Sequence, residues 1–399
     1  MTVEESPVRR RPGNRRQLIL DAAGPIFSER GYHGASMEEM AAKVGITATA
    51  LYRHFPNKYA LFAECTNLMV DRLRDVLDDL PGSATLSDLL RALAQVTFEH
   101  RASGGVYRWE ARFLEAGERR DLRAKFASVV DSTAVALERD LGGSDVRLRA
   151  AAALGAIGSI TLHHTPIARQ RAVTTLVESA LGVAAVDPGA AAPTASGVRL
   201  PAQAEPVGRR AQILWAAIPL FARHGYHHVS MEQIAGAVGL GPSGIYRHYP
   251  AKADILAAAC LRTAATLEQA VTQALNEVHD PADELSALAA AYVAYRFENT
   301  ALISVAEAEI VGLPPALRAP VIEAQHTHMS RWEERLAAAR PQLDARQVRT
   351  LVHAGFGAVV EAGRLLRWQD TDTNRDAVTA LLLGALGTPT PVEVRRTKS

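Results

Sequence analysis

Cysteine, aromatic residues and net charge are all scarce in this 399-residue chain, and each shortage excludes a class of protein. The two cysteines, Cys65 and Cys260, are too few for a disulfide-rich secreted domain, so we expect buried thiols in a reducing cytoplasm. The net charge of +1 excludes a polycation, so any nucleic-acid site must be a local patch. No uncharged stretch is long enough for a membrane span, and the charged N-terminus does not predict a signal peptide.

One block of sequence occurs twice. Residues 15–63 return without a gap as residues 209–257, and 23 of the 49 aligned positions are identical at a constant offset of 194. A solenoid would repeat many times with a period of about 20–50 residues, whereas one copy half the chain away indicates that a whole domain was duplicated.

Apolar residues recur at helical rather than strand spacing, which predicts an all-α protein. In the first copy Leu18, Ala22 and Ile26 line one face of a helix that should end at a left-handed Gly31. The second copy repeats this pattern and should end at Gly225 in the same way. No stretch shows the sustained alternation of a half-buried strand.

The residues after the first helix predict a helix-turn-helix. Ser36 has the place of an N-cap, and Glu39 three residues on suggests a capping box. The tight turn around Gly45 leads into a second short helix that starts at Thr47 and ends near His54. The second helix of such a motif can enter a DNA major groove.

The continuation makes the pattern more specific. The sequences LYRHFPNK at 51–58 and IYRHYPAK at 245–252 resemble the end of the DNA-binding domain in the TetR (tetracycline-repressor-like) family. The resemblance implies two TetR-like domains, each an N-terminal three-helix helix-turn-helix domain plus a C-terminal helical bundle. It is strong over the N-terminal third of each half and rests on length and helix count elsewhere.

By position, the resemblance implies that Ala48, Thr49 and Tyr52 face base edges and that Lys58 meets a phosphate. Alanine and threonine methyl groups suit the thymine methyl group, which agrees with that assignment. The basic residues at the N-terminus, Arg9–Arg16, could reach an adjacent minor groove or could be part of a solvated tail. The predicted DNA contacts are Arg15, Ser36, Thr47, Ala48, Thr49, Tyr52, His54, Lys58, Arg210, Ser230, Pro242, Ser243, Tyr246, His248 and Lys252.

The second copy departs from the first in its recognition helix, where the sequence is Gly-Pro-Ser-Gly at 241–244. Proline suits the first helical position, but Gly244 costs roughly 1 kcal/mol relative to alanine. The two modules should therefore not read the same half-site. Either the operator is asymmetric, or the second module contributes mainly phosphate contacts; both alternatives stay open.

In TetR-like proteins the C-terminal helices form a ligand pocket and a dimer interface. Small residues dominate 150–160 and 351–363, which would allow helices to approach closely there, as an interface needs. The principal hypothesis is an intramolecular pseudo-dimer of the two halves, and the alternative is a homodimer of chains. The same residues could also be ordinary core positions.

The effector is predicted only as a hydrophobic or lipid-like small molecule. Ordinary bundle packing is the competing explanation for each residue of the candidate pocket. No metal site and no cofactor is predicted, since His326 and His328 do not share a helix face. The candidate ligand-binding residues are Trp109, Arg112, Phe113, Phe297, Glu307, His326, Trp332 and His353.

The leading functional hypothesis is a cytoplasmic, ligand-responsive transcriptional repressor that binds double-stranded operator DNA. No nucleophile elbow, phosphate loop or metalloprotease motif indicates an enzyme. In the alternative, the second module is a dimerisation or partner-binding scaffold rather than a DNA reader.

The repeat and a stretch rich in proline, alanine and glycine divide the chain. The predicted order is a basic disordered arm (1–13), helix-turn-helix domain 1 (14–62), ligand and dimerisation domain 1 (63–182), a linker (183–207), helix-turn-helix domain 2 (208–256), ligand and dimerisation domain 2 (257–388) and a tail (389–399).

Overall fold

The computed structural model describes residues 15–189, 200, 206–276, 278 and 280–388. Within these ranges all regular structure is helical and no strand occurs, which confirms the all-α prediction. No helix in the described ranges is both long and apolar enough to span a membrane. The arm at 1–13, the tail at 389–399 and most of the predicted linker lie outside the described residues.

Ten α-helices lie in the described residues of the first half, and the last of them continues to Ala185. They are α1 (Arg15–Gly34), α2 (Met37–Val44), α3 (Ala48–Tyr52), α4 (Lys58–Asp78), α5 (Leu86–Glu99), α6 (Arg101–Gly104), α7 (Val106–Trp109), α8 (Ala116–Asp140), α9 (Val146–Gly158) and α10 (Arg169–Ala185).

The second half contributes nine α-helices within its described residues. They are α11 (Arg209–His224), α12 (Met231–Ala237), α13 (Pro242–Ile245), α14 (Lys252–Leu275), α15 (Pro281–Glu298), α16 (Thr300–Glu309), α17 (Pro315–Ala339), α18 (Ala345–Leu365) and α19 (Asp372–Leu386). Short 3-10 turns connect several helices in both halves.

One compact unit holds the residues up to Asp71 together with Ala102–Arg123. Its core is aromatic: Phe27 and Phe62 are fully buried and meet edge to face with ring centroids 5.3 Å apart. Tyr32 packs against Phe62 at 4.7 Å and against Phe113 at 5.6 Å. Phe113 therefore belongs to the packing of the first helix-turn-helix module.

The second compact unit holds Arg72–Arg101 and the residues from Ala124 onward, and it includes the second helix-turn-helix module. The apolar core of that module continues through Leu302 and Val305 of α16, Leu313 in the connection and Val321 of α17. At the centre of this unit α9 and α10 from the first half pack against α18 and α19 from the second half.

Glycine pairs set the approach of these four helices. A Cβ atom on Gly155 would overlap the carbonyl oxygen of Gly357, and a Cβ on Gly357 would overlap the carbonyl oxygen of Gly155. Gly182 and Gly384 meet in the same backbone-to-backbone way, and the hydroxyl of Ser179 donates to the Ala385 carbonyl at 2.8 Å. The predicted small-residue stretches therefore do form a close helix interface.

Two details of local structure differ from expectation. Gly31 and Gly225 have positive φ (68° and 82°), but their ψ angles of 170° and 139° are extended rather than left-handed helical. In addition, Ser36 accepts from the Glu39 backbone N–H at 3.1 Å, while the Glu39 carboxylate pairs with Arg30 at 2.9 Å. The complete capping box is in the second copy, between Ser230 and Gln233.

A side chain at the α9–α18 crossing should destabilise the fold. We expect Gly155→Val to lower the free energy of unfolding by about 3 kcal/mol, because the added atoms overlap a backbone carbonyl, which cannot move aside as a side chain can. Gly236→Ala is the matched control, since a Cβ there meets no atom within 4 Å and should be neutral or stabilising. Urea unfolding measures both, and equal midpoints for Gly155→Val and the parent chain would contradict the close crossing.

Candidate nucleic-acid interface

The recognition helix of the first module is placed by caps on both sides of the turn. Gly45 closes α2 in a left-handed conformation (φ 69°, ψ 38°), which a residue with a side chain rarely adopts. The Thr47 hydroxyl accepts from the Ala50 N–H at 3.2 Å and so caps α3. Leu51 is fully buried and anchors the helix, while the next residue, Tyr52, is 46% exposed.

The second module repeats this geometry with a weaker start to its recognition helix. Gly239 takes the left-handed turn position (φ 68°), and Ile245 is the buried anchor. Gly241 is the N-cap, and it offers no side-chain hydrogen bond to α13. Tyr246 is 48% exposed, close to the exposure of its counterpart Tyr52.

In both copies a lysine ammonium donates hydrogen bonds to backbone carbonyls that follow the positive-φ glycine near the end of the module's first helix. The Lys58 ammonium donates to the carbonyl oxygens of Ala35 at 3.1 Å and His33 at 3.4 Å, and it lies 4.8 Å from the centre of the Tyr32 ring. Lys252 donates in a similar way to the carbonyl oxygens of Tyr226 at 2.8 Å and His227 at 3.3 Å. Burial lowers the pKa of Lys252. These contacts give both lysines a structural role, and two of the three ammonium donors are committed to it.

An arginine in the first helix holds the end of each recognition helix. Arg16 donates to the His54 carbonyl at 2.6 Å and stacks on the Phe55 ring at 4.2 Å. Arg210 donates to the His248 carbonyl at 2.7 Å and stacks on Tyr249 at 4.4 Å. Arg210, predicted as a DNA contact, is therefore at least partly a tether within the module.

The other predicted DNA contacts divide by exposure. Ser36 and Ser230 are partly buried helix caps whose hydroxyls accept backbone N–H groups. The side chains of His54, Lys58, His248 and Lys252 are likewise half-buried. The exposed set is Arg15, Thr47, Thr49, Tyr52, Pro242, Ser243 and Tyr246, with Ala48 half-exposed.

Sequence reasoning missed one pair of candidates, Arg53 and Arg247. Each lies within two residues of the end of its recognition helix and is exposed. An exposed guanidinium next to an exposed tyrosine is suited to a bidentate contact with a DNA phosphate. The signal that could have identified them is their identity in both copies of the repeat.

The candidate ligand residues do not form one site. The side chains of Trp109 and Arg112 lie outside the described residues, and Phe113 packs on the rings of Tyr32 and His33 in the first module. In the second half His326 is exposed, whereas His353 stacks on His163 with ring centroids 4.0 Å apart. Neither histidine is part of the aromatic cluster described next.

Three second-half candidates converge on α15. Trp332 packs edge to face on Tyr292 at 5.9 Å, and Phe297 does the same on Trp368 at 5.2 Å. Glu307 accepts from Arg296 Nη1 at 2.6 Å, and the side chain of that arginine is only 9% exposed. Two buried donors in this region have no hydrogen-bond partner among the described residues: Arg296 Nε and a ring nitrogen of His328, Nδ1.

Burial also decides the protonation of His328. It lowers the pKa of this imidazole to about 4, so the ring is neutral at pH 7. Trp332 donates its indole N–H to His328 Nε2 at 3.0 Å, so Nε2 is an acceptor and Nδ1 carries the proton. The cluster therefore offers two unsatisfied donors, which is costly in a helical core.

Known proteins match this chain in the two repeated modules. The model of the family described as bacterial regulatory proteins, tetR family, matches twice, at residues 19–65 and 213–259. A transcriptional activator named FasR from Mycolicibacterium smegmatis is 35% identical over 94 residues, which cover 23% of this chain and 43% of that protein. The repressor KstR2 from Rhodococcus jostii is 29% identical over 110 residues, 26% of this chain and 54% of that protein.

The chain thus spans about half the length of the curated relatives it matches. Among solved structures, the TetR family regulator PfmR from Thermus thermophilus aligns over 41% of this chain and 96% of its own at 20% identity, with a TM-score of 0.37. Both copies of the repeat are thus identified as DNA-binding modules of the tetR family of bacterial regulatory proteins.

Proposed function

We propose that the chain is a DNA-binding transcriptional regulator whose two helix-turn-helix modules act on one operator. The observation that carries this proposal is the repetition of the same exposed pair, tyrosine then arginine, after a buried recognition-helix anchor in each module. Both modules also contain the lysine and arginine hydrogen bonds that hold the recognition helix in place, which supports the same function for both copies.

The two halves are proposed to pair with each other as an intramolecular pseudo-dimer. The glycine contacts support it, because Gly155 and Gly357 meet reciprocally, as residues near a two-fold axis do. Both glycine pairs, at 155 and 357 and at 182 and 384, are separated by 202 residues. The same offset relates two ion pairs, Arg147 with Asp131 and Arg349 with Glu333.

The pseudo-dimer predicts a monomer in solution. Sedimentation should give a mass near 42.9 kDa, and one chain should bind one operator duplex, because the small-residue faces are already covered within the chain. A stable dimer of chains at micromolar concentration would contradict the prediction. It would support the alternative homodimer, in which two chains together carry four helix-turn-helix modules.

Phosphate binding by the newly identified arginines predicts a specific salt dependence. Arg53→Gln should reduce the slope of log K against log salt concentration by about 0.9, because one phosphate contact is lost. Arg247→Gln should do the same. Val135→Ala, at a 70% exposed position on α8, is the control and should leave both slope and affinity unchanged. An unaltered slope in both arginine variants would contradict their role.

We propose that the protein represses transcription and that an effector relieves this repression. KstR2, one of its relatives, is named a repressor. An effector that prefers a state unable to hold both modules on the operator would lower DNA affinity, typically by about 5- to 150-fold. A transcription assay with the operator placed over a promoter tests this sign. Higher transcription on adding the regulator would contradict repression.

The effector site is proposed at the aromatic cluster of the second half. Arg296 Nε and His328 Nδ1 would both donate to an acceptor of the ligand, and the rings of Tyr292, Trp332 and Phe356 would pack on its apolar body. Because Glu307 already balances the Arg296 charge, a neutral carbonyl group suits the site better than a carboxylate. The proposed effector is therefore a hydrophobic molecule that carries a neutral carbonyl.

A matched series of naphthalenes tests the effector site. We expect 2-acetylnaphthalene to bind about tenfold more tightly than 2-ethylnaphthalene or 2-naphthoate in calorimetric titrations without DNA. His328→Phe keeps an aromatic ring but removes the donor, and Arg296→Lys keeps the charge but removes Nε. Each should erase the preference for the ketone. Equal binding of all three compounds by the parent chain would refute the site.

A further inference from the structure

The two copies of the repeat differ least where a module would hold the DNA backbone. Tyr52 and Tyr246 have nearly equal exposure, and the arginine that follows each is exposed in both copies. The tethers from Lys58 and Lys252 both join loop carbonyls to the face of a tyrosine ring. The exposed arginines are suited to phosphate and the lysine tethers fix the helix, and neither task depends on base sequence.

The copies differ most at the start of the recognition helix, where a module would read bases. The first module has Thr-Ala-Thr-Ala at 47–50, and the second has Gly-Pro-Ser-Gly at 241–244. Ala48 and Thr49 offer methyl groups, which discriminate thymine by apolar contact with its methyl group. Pro242 offers no donor and Gly244 no side chain, which leaves Ser243 as the single hydrogen-bonding side chain of the four.

The serine hydroxyl adds little discrimination. It rotates freely between donor and acceptor roles, so it can satisfy either kind of base edge. Its position is also less constrained than that of Thr49. The second recognition helix begins without a side-chain cap at Gly241, whereas Thr47 caps the first by a 3.2 Å hydrogen bond.

We infer that the two modules divide the work of recognition: the first reads bases, and the second holds the adjacent phosphate backbone with little base preference. The operator is then asymmetric, with one specified half-site beside a tolerant one, and the chain binds it in a single orientation. This inference rests on the proposed function, and it assigns the difference to positions 241–244 as specificity determinants.

Selection of bound duplexes from a randomised pool tests the inference. The parent chain should recover one conserved half-site, with a neighbouring segment that is protected in footprints but nearly random in sequence. A symmetric inverted repeat, or two strongly specified half-sites, would overturn it. So would a footprint covering only one half-site, which would make the second module a scaffold. Failure to bind any duplex would instead refute the proposed function.

A transplanted recognition sequence makes the test quantitative. The combined variant Gly241→Thr, Pro242→Ala, Ser243→Thr and Gly244→Ala gives both modules the same reading residues. It should select an inverted repeat of the parent's conserved half-site and bind it about tenfold more tightly than the parent chain does. Unchanged selection by a variant that keeps the parent's thermal unfolding midpoint would overturn the assignment.

The reverse transplant is the matched control. Thr47→Gly, Ala48→Pro, Thr49→Ser and Ala50→Gly should abolish the conserved half-site while binding to random duplex keeps a steep salt dependence, because the phosphate contacts are untouched. If the conserved half-site persisted in this variant, base reading would reside outside these positions and the inference would be overturned.

Discussion

The backbone contact between Gly155 and Gly357 is the constraint on which the arrangement of the C-terminal helices depends. Two helices can cross with their backbones touching only where neither carries a side chain, and a Cβ atom on either glycine would overlap the other's carbonyl group. Gly182 and Gly384 extend the contact to α10 and α19. The face that could join two separate chains is thereby covered by the chain's other half, which is why we propose a pseudo-dimer.

The second constraint is the pair of cationic tethers inside each DNA-binding module. A lysine at the start of the fourth helix closes the loop after the first, and an arginine in the first helix holds the end of the recognition helix. Because these contacts are to backbone carbonyls and ring faces, they do not depend on which side chains the recognition helix presents. That separation explains how the two copies keep one geometry while the residues at 47–50 and 241–244 differ.

Local signals in the sequence predicted local structure well. Ser36 caps α2, and Gly45 forms the tight turn before α3. The predictions that proved incomplete concern side chains whose partners lie outside their own helix. Glu39 does not complete a capping box because Arg30 takes its carboxylate, and Arg210 stacks on Tyr249, 39 residues away. The ligand candidates are divided among several helices for a related reason, since helical spacing does not reveal which helices pack together.

By itself the sequence determined the duplication, the all-α class, the helix-turn-helix modules and their family, because these follow from identities, periodicity and caps within about 50 residues. Tertiary structure decided the rest. Only the packed chain shows that the small-residue stretches of the two halves meet each other at matched glycines, and that Arg296 and His328 have buried donors without partners among the described residues. The small residues are visible in the sequence, but the segment they meet, about 200 residues away, is not. The buried donors depend on solvent exclusion by several helices, which leaves no local pattern in the chain.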